Sequence, residues 1–270
     1  MLWQRAGHRI VAASGRDASR ERVALHLPDT AFETDPSRAA AAAETVVLGV
    51  RDDLIEGISS LVATDLRTGA RVLHLSGSVP LTALDPARAV GAVILSLHPL
   101  LSFPDVATGI ERLPGSGIAV TAETAEDEAF GEDLARDAGA RPFALPDVVK
   151  PLYHAGAVFA SNYLVAVEAL AEQILSAAGV ADAPSYLEPL ARSAFDRTFA
   201  LGPEAALTGP AVRGDDGTIE RNLAALTSSV PGAVASYVAL ADAAAALAFA
   251  AGRIDHEQHT RVRKALDPWR

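Results

Sequence analysis

The chain has 270 residues, half of them hydrophobic, and a net charge of −11. This length and composition allow a substantial core in one large or two modest domains, and the acidic balance without any long basic run excludes nucleic acid as a partner. Cysteine is absent, which excludes disulfides, thiolate chemistry and cysteine metal sites. No apolar run of about 18 residues and no signal-peptide core occur, so we expect a soluble, cytoplasmic protein that does not enter the membrane.

The first part of the chain alternates short apolar strands with helical segments. Strands are predicted at 8–14, 31–33, 45–50, 71–75, 92–97, 118–121 and 141–145, and helices at 18–26, 36–43, 54–63 and 123–138. The continuous apolar run at 45–50 is typical of a central parallel strand that is covered on both faces. This alternation predicts a doubly wound α/β sheet over residues 1–148.

Several residues lie at or just beyond the carboxyl ends of these strands, where a doubly wound sheet binds its ligands. They are Ser14, Val50, Asp52, Ser76, Gly77 and His98. The first strand ends in Ser14-Gly15-Arg16 without an acid, and the guanidinium of Arg16 can take the 2′-phosphate of NADP where an NAD site would place a carboxylate. We therefore expect a preference for NADPH over NADH. The alternative is that these residues form only an ordinary turn and helix start.

Residues 149–270 are predicted to form an all-helical domain. Helices are expected at 151–178, 184–200, 218–228, 231–251 and 255–266, with glycines at the breaks. The polar loop at 208–215 contains Arg213, which can hold a substrate carboxylate in a forked pair, and Asp215. Apolar residues cover nearly the whole circumference of the helix over 239–251, so this helix needs cover on all sides. We expect a homodimer formed through the helical domain.

The helix that starts near Lys150 offers polar groups on one face. Pro151 suits the first helical position, and the polar face carries Lys150, His154, Ser161 and Asn162, whereas the opposite face carries Leu152, Phe159, Tyr163 and Leu170 as a core stripe. Lys150 and Lys264 are the only two lysines, and a lysine can release a proton where an arginine cannot. An active-site wall is one interpretation; satisfied polar groups at a domain interface are the other.

Other site classes find little support in the sequence. His256 and His259 lie three residues apart on a charged segment, which is more typical of a solvated face than of a zinc site. No Gly-x-Ser-x-Gly sequence is present, which disfavours a serine hydrolase. No metal site is predicted.

Four runs of the chain resemble a known family. They are His74-Leu75-Ser76-Gly77, Ser96-Leu97-His98-Pro99-Leu100, the segment from Tyr153 to Tyr163, and the segment from Leu207 to Asp215. The family consists of Rossmann-like oxidoreductase-type proteins with a C-terminal domain of unknown function, DUF2520. They are distant relatives of ketopantoate reductase, pyrroline-5-carboxylate reductase and 6-phosphogluconate dehydrogenase. The resemblance implies an NADP-type Rossmann domain, a helical domain like the C-terminal one of 6-phosphogluconate dehydrogenase that commonly dimerises, and reduction of a small 2-oxo acid such as ketopantoate.

Reduction of a carbonyl group by hydride transfer needs a cofactor and a proton donor for the developing alkoxide. Lys150 and His154 are the candidate donors, Ser161 or Asn162 would orient the carbonyl, and His98 and Arg213 would hold the substrate acid. The competing hypothesis is a non-catalytic protein that keeps the scaffold and binds only a ligand or a partner.

The chain departs from the family pattern in two places. Relatives have Val-Pro-Asp where this chain has Val50-Arg51-Asp52, and their opening strand with a Gly-x-Gly-x-x-Gly turn has no counterpart here. Gly115-Ser116-Gly117 precedes a strand and does not replace that turn. We expect about 20 upstream residues to be missing from the chain as given, two unpaired inner strand edges, weak NADPH binding and low stability. The alternative is a protein that has genuinely lost its first strand.

Overall fold

The computed structural model describes residues 1–270 and consists of two compact units, Met1–Ser161 and Asn162–Arg270. The sequence pattern predicts the boundary after residue 148, thirteen residues earlier than it lies. The difference arises because the helix that begins at Lys150 packs its polar face on the first unit, through Lys150 and Tyr153. In the sequence, the change from alternating strands and helices to helices alone marks the end of the last strand. It does not show whether the first helix after that strand packs with the first or the second unit.

The first unit contains seven strands and eight helices. The strands are β1 (Ala12–Ser14), β2 (Ala31–Glu33), β3 (Thr45–Leu48), β4 (Arg71–His74), β5 (Val93–Pro99), β6 (Gly117–Ala122) and β7 (Arg141–Ala144). The helices are α1 (Leu2–Arg5), α2 (Arg20–His26), α3 (Pro36–Ala41), α4 (Ile55–Val62), α5 (Asp85–Ala89), α6 (Val106–Arg112), α7 (Ala125–Asp137) and α8 (Lys150–Ala160). The predicted alternation of strands and helices is confirmed.

The strands form one five-stranded sheet and one two-stranded sheet. The larger sheet has the order β3-β4-β5-β6-β7 and the smaller one pairs β1 with β2. All neighbours are parallel except β5 and β6, which run antiparallel. Leu48, His74 and Ser96 are register partners across β3, β4 and β5. This register brings the loops that follow three adjacent strands to one edge of the sheet.

The division into two sheets leaves β1 and β3 each with a single partner strand. β1 pairs with β2 alone, and β3 is the outermost strand of the larger sheet, where it pairs with β4 alone. In the classic strand order a further strand lies between these two positions. The expected pair of unpaired edges is therefore confirmed, and their backbone groups must find water or another chain.

Helices cover both faces of the larger sheet. On one face Ile55, Val62 and Leu84 pack with residues of β4 and β5, and on the other α7 packs through Leu134 and Ala135. Helix α7 begins at the cap Thr124, whose hydroxyl accepts the Asp127 N–H, with three acidic residues in its first turn. The buried strands β4 and β5 thereby form a rigid centre.

The second unit is entirely helical. It comprises α9 (Asn162–Ala177), α10 (Ala183–Leu201), α11 (Pro203–Ala206), α12 (Pro210–Arg213), α13 (Asp216–Ser229), α14 (Val234–Ala250) and α15 (His256–Leu266). Its main core is formed by α12 to α15, with Ile219, Leu223, Ala245, Val262 and Leu266 fully or almost fully buried. Of the 19 residues of α10 only Ala183 is buried, and α9 buries none.

The predicted helix over 151–178 and its core stripe need correction. The helix is divided at Ser161 into α8 and α9, and Leu152 is 77% exposed and Phe159 70% exposed. The buried face of α8 is the polar one, because the surface that it meets supplies hydrogen-bonding groups rather than an apolar patch.

Two helical stretches, Asp147–Ala177 and Pro231–Ala250, are long and apolar enough to span a membrane by length and composition alone. The first is interrupted at Ser161 and carries Lys150, which bonds to β5. The second contributes Val238, Ala245 and Ala248 to the core of its unit, as a core helix does.

Candidate active site

The loops after β3, β4 and β5 meet at the carboxyl edge of the larger sheet. Oδ2 of Asp52 accepts hydrogen bonds from the hydroxyls of Ser76 (2.8 Å) and Ser78 (2.9 Å). Gly77 lies under the ring of His98, so closely that a methyl group at this glycine would lie 2.8 Å from Cε1 and Nε2 of the ring. The prediction that Asp52, Ser76, Gly77 and His98 lie together is confirmed.

Lys150 is the most unusual residue of this edge. Its side chain is buried, with 1% of the residue exposed, and Nζ donates to the Ser96 hydroxyl at 2.6 Å. Burial lowers the pKa of Lys150 to about 8, while the carboxylates of Asp147 and Asp52 act in the opposite direction. The amine therefore holds a proton at pH 7 and can release it close to neutrality.

The turn that precedes α8 fixes the start of this helix. The Asp147 carboxylate accepts the backbone N–H of Leu81 with both oxygens, at 3.0 and 3.2 Å. Pro151 occupies the first turn of α8, where its missing N–H costs nothing. Lys150 consequently enters the site from a helix start that is tied to the loop after β4.

His74, at the end of β4, lies beneath the loop. Its Nδ1 accepts the backbone N–H of Ser76 at 3.1 Å, and Nε2 is buried without a hydrogen-bond partner. Burial, reinforced by the nearby charge of Lys150, lowers the pKa of His74 to about 3. The imidazole is neutral at pH 7 and serves the loop rather than a ligand.

His98 and Tyr153 form a pair between β5 and α8. Nδ1 of His98 lies 2.8 Å from the Tyr153 hydroxyl, and the rings meet edge to face. Burial, followed by the effect of His154, lowers the pKa of His98 to about 4, and burial raises the pKa of Tyr153 to about 12. Both groups are thus neutral at pH 7. With a neutral ring, His98 would hold a substrate acid through a hydrogen bond rather than through a positive charge.

His154 lies one turn after Lys150 on the same face of α8. Its ring centroid is 5.9 Å from that of His98, and its Nδ1 is buried without a hydrogen-bond partner. Buried polar atoms are nearly always paired in folded proteins. Nδ1 of His154, like Nε2 of His74, is therefore a buried polar atom of this cluster without a protein partner.

Ser161 and Asn162 lie where α8 ends and α9 begins. Ser161 follows the last residue of α8, so it lies about 10 Å beyond His154 along the helix axis, although both point in a similar direction. Asn162 is the first residue of the second unit. A helical wheel shows only the angular position of each residue and not its distance from another residue along the helix axis.

The residues predicted to bind the adenosine end of the cofactor lie on the smaller sheet. Ser14 ends β1, and Arg16 follows it as an exposed residue whose guanidinium forms no ion pair. Val50 follows β3 on the larger sheet and is partly exposed. The polar edge is therefore divided between two sheets rather than continuous.

Arg213 and Asp215 belong to the second unit. Asp215 caps α13: Oδ1 accepts the Thr218 N–H at 3.0 Å and Oδ2 accepts the Thr218 hydroxyl at 2.8 Å. The bonds from Thr218 hold the pKa of Asp215 below its usual value. Asp215 thus has a structural role as a helix cap beside its predicted role in substrate binding. Arg213 ends α12 with an exposed side chain.

Three residues of the cluster escaped the sequence interpretation: Ser96, Asp147 and Tyr153. A serine inside the apolar run over 92–97 is a signal for a buried polar contact, since an unpaired hydroxyl there is costly. Asp147 stands three residues before Lys150, at the position of a turn that begins a helix. Tyr153 carried no signal beyond its place in a family motif.

A cavity of about 450 Å³ in the second unit is lined by Phe249, His259 and Lys264, among others. It contains none of the predicted site residues. No group of three or more His, Cys, Asp or Glu side chains that could hold a metal ion is present.

A largely parallel sheet with polar residues at the carboxyl ends of its strands, followed by an all-helical unit, defines a Rossmann-like protein with a helical C-terminal domain. Two family models agree with this class. Residues 1–99 match the Rossmann-like domain, and residues 116–244 match the domain of unknown function DUF2520. The chain therefore belongs to the Rossmann-like proteins that carry a DUF2520 domain, as its motifs indicate.

Solved structures share this fold. BF3122 from Bacteroides fragilis, described as a candidate NADP oxidoreductase, is 22% identical with a TM-score of 0.73, over 89% of this chain and 90% of that one. Protein TM1727 from Thermotoga maritima is 21% identical with a TM-score of 0.70, over 93% and 96%. A reductive aminase from Aspergillus terreus, solved with NADPH and ethyl levulinate, is 18% identical with a TM-score of 0.59, over 99% and 87%. No curated protein matches the sequence.

Proposed function

We propose that this protein is an NADP(H)-dependent oxidoreductase that reduces a small 2-oxo acid of the ketopantoate kind, with Lys150 as the proton donor. One observation carries the proposal: a buried lysine with a pKa lowered to about 8 lies at the carboxyl edge of the sheet, next to His98, Tyr153 and His154. Lysines tuned in this way are typical of sites where a proton is transferred. The shared fold of the NADPH-bound reductive aminase supports a nicotinamide cofactor.

The residues of the chain fit one part of an NADP molecule. Arg16 presents an unpaired guanidinium after β1, at the position where a dinucleotide-binding sheet contacts the 2′-phosphate. No strand of the chain is followed by a Gly-x-Gly-x-x-Gly turn for the pyrophosphate. Arg16 is therefore suited to the 2′-phosphate of NADP, whereas the chain lacks the glycine turn that usually binds the pyrophosphate.

Lys150 supplies the acid chemistry. When bound, the cofactor would supply the hydride for the carbonyl carbon. The carbonyl electron pair then moves to oxygen, the Lys150 ammonium gives this oxygen its proton, and a neutral amine remains. Ser96 holds Nζ and donates its own proton to the Ser76 carbonyl, so its lone pairs stay directed at the amine. Because Lys150 is buried, its side chain or the loop must move for Nζ to reach a substrate.

A cofactor titration followed by a substrate panel tests the proposal. NADPH is added to the wild-type chain while binding is recorded, and its oxidation is then measured with a series of 2-oxo acids. Saturable binding with oxidation that depends on a 2-oxo acid supports the enzyme. Turnover at the wild-type rate in Lys150→Ala would contradict the assigned donor.

The second candidate is a non-catalytic protein that uses the same scaffold to bind a ligand or a partner. The split sheet and the missing glycine turn favour it, because both weaken a dinucleotide site. Ligand binding without turnover across the whole panel would select this alternative.

We also propose a cytoplasmic homodimer. Leu190 and Phe199 of α10 are 68% and 80% exposed, a large apolar surface for a helix that buries only Ala183. A second copy offers the same surface, and a standard interface needs about 800 Å² from each partner. The exposure of α10 supports a contact through this helix, whereas part of the apolar helix α14 is buried in its own core.

Light scattering tests the dimer. We expect a mass twice the 28.0 kDa of one chain, and loss of the dimer in the double variant Leu190→Ser, Phe199→Ser. Leu25→Ser, at an equally exposed leucine of α2, is the matched control and should leave the mass unchanged. A monomeric wild type at micromolar concentration would rule out the dimer.

A further inference from the structure

The loop Ser76-Gly77-Ser78 after β4 is held from the neighbouring strand by a single carboxylate. Oδ2 of Asp52 accepts the hydroxyls of Ser76 and Ser78, and the Ser76 hydroxyl in turn accepts the backbone N–H groups of Ser78 and Val79 at 3.2 and 3.1 Å. Hydrogen bonds to an ionised acceptor are among the stronger ones in proteins. The Ser76 hydroxyl therefore closes the loop, and Asp52 ties the loop to the turn that follows β3.

The same loop also fixes the position of the Lys150 amine. The carbonyl oxygen of Ser76 accepts the Ser96 hydroxyl at 3.2 Å, and this hydroxyl accepts the Lys150 amine at 2.6 Å. A hydroxyl has one proton to give, so the orientation of Ser96 depends on where the Ser76 carbonyl lies. Movement of the loop would remove the acceptor that orients Ser96 and would leave the amine without a fixed position.

The loop also supports His98. The ring of His98 rests on Gly77, where an added methyl group would lie 2.8 to 2.9 Å from Cε1, Nε2 and Cδ2. The other side of the ring is bonded to Tyr153 through Nδ1. The position of the loop thus determines where the imidazole lies. The imidazole in turn determines where the Tyr153 hydroxyl lies.

We infer that Asp52 and Gly77 are positioning residues for Lys150 and His98, and that Asp52 is not a ligand of the cofactor. Asp52 acts through Ser76 and Ser96, and Gly77 acts by leaving room for the imidazole. The catalytic part of this inference rests on the proposed function. The contacts themselves, and the positions that they give to Lys150 and His98, do not depend on it. The charges nearest to Lys150 are the carboxylates of Asp52 and Asp147, and the neutral imidazoles of His74 and His98 lie beside it.

Nuclear magnetic resonance of isotope-labelled lysine tests the role of Asp52 without any need for turnover. The chain has two lysines, so Lys150 is observed beside Lys264 alone as an internal reference. In Asp52→Asn, which keeps the size of the side chain, we expect the Lys150 signal to shift and its pKa to fall below the wild-type value, because the carboxylate raises it. Asp53→Asn, at the exposed neighbour that pairs with Arg51, is the control and should leave the Lys150 signal unchanged.

A second pair of variants tests Gly77. Gly77→Ala should shift the ring signals of His98, whereas Gly57→Ala, at a helical glycine with no atom within 4 Å of an added methyl group, should not. Unchanged Lys150 signals in Asp52→Asn, or unchanged His98 signals in a folded Gly77→Ala, would overturn the inference.

Kinetics separate positioning from cofactor binding. For a positioning residue we expect Asp52→Asn to lower kcat by about tenfold with the KM for NADPH unchanged. A raised KM with unchanged kcat would identify Asp52 as a cofactor ligand and overturn the inference. Failure of the proposed reductase activity appears separately, as absence of turnover in the wild type, while the resonance experiment still reports on the positions of Lys150 and His98.

Discussion

The two sheets of the first unit differ in how they hold the residues that are proposed to bind ligands. In the five-stranded sheet, Lys150 and Ser96 are buried and bonded, and β4 and β5 have neighbours on both edges. In the two-stranded sheet each strand has three residues and one partner, and Ser14 and Arg16 are exposed. Parallel strands become rigid when other elements cover both their faces and their edges. The residues proposed for proton transfer are thus buried and hydrogen-bonded, whereas the residues proposed to contact the nucleotide are exposed.

Hydrogen exchange should show the largest difference between the two sheets. Amides of β4 and β5 should exchange only through global unfolding, and amides of β1 and β2 through local opening. With an ordinary stability for a folded domain, the rates should differ by about a thousandfold or more. Exchange measured by mass spectrometry at peptide resolution checks this. Equal protection in the two sheets would mean that the smaller sheet is covered in solution.

Substitution of the buried lysine should give the next largest effect. Lys150→Ala should lower turnover by about a hundredfold, the scale of a positioned proton donor, and His154→Ala is expected to act in the same direction. Lys264→Ala, at the other lysine, serves as the control. Circular dichroism should show that the variants remain folded. If Lys150→Ala and His154→Ala both keep their turnover, the active site lies elsewhere.

The pH profile of reduction should reflect the lowered pKa of Lys150. A donor must be protonated, so turnover should be level below about pH 8 and should fall about tenfold per pH unit above it. The sign follows from the role, because rising pH removes the proton that the amine must give. A rate that increases through pH 8 in the direction of reduction would speak against Lys150 as the acid.

The smallest effect is expected on the two-stranded sheet. Arg16→Ala should remove most of the preference for NADPH over NADH, about tenfold in relative affinity, because an exposed guanidinium gives up water to bind a phosphate. Arg9→Ala, at another exposed arginine, should not alter the preference. Titration with both cofactors is the measurement, and equal affinities in the wild type would contradict the assigned role of Arg16.

The sequence by itself determined the seven strands, the longer helices and the polar edge of the larger sheet. Strands and helices were predictable because apolar runs, glycines and Pro151 act over a few residues. Asp52, Ser76, Gly77 and His98 could be placed together because the carboxyl ends of parallel neighbours share an edge. The cap formed by Asp215 was also within reach, since its spacing from Thr218 is that of a cap and the N–H it accepts.

Only the tertiary structure decided which surface each element meets. An apolar stripe identifies one face of α8, yet Leu152 lies in solvent and Lys150 is buried, because Ser96 and His98, more than 50 residues away in sequence, offer that helix polar contacts. The antiparallel pairing of β6 and the break at Ser161 likewise carry no local signal. Local propensity acts within a few residues, whereas burial and pairing depend on groups that the fold alone brings together.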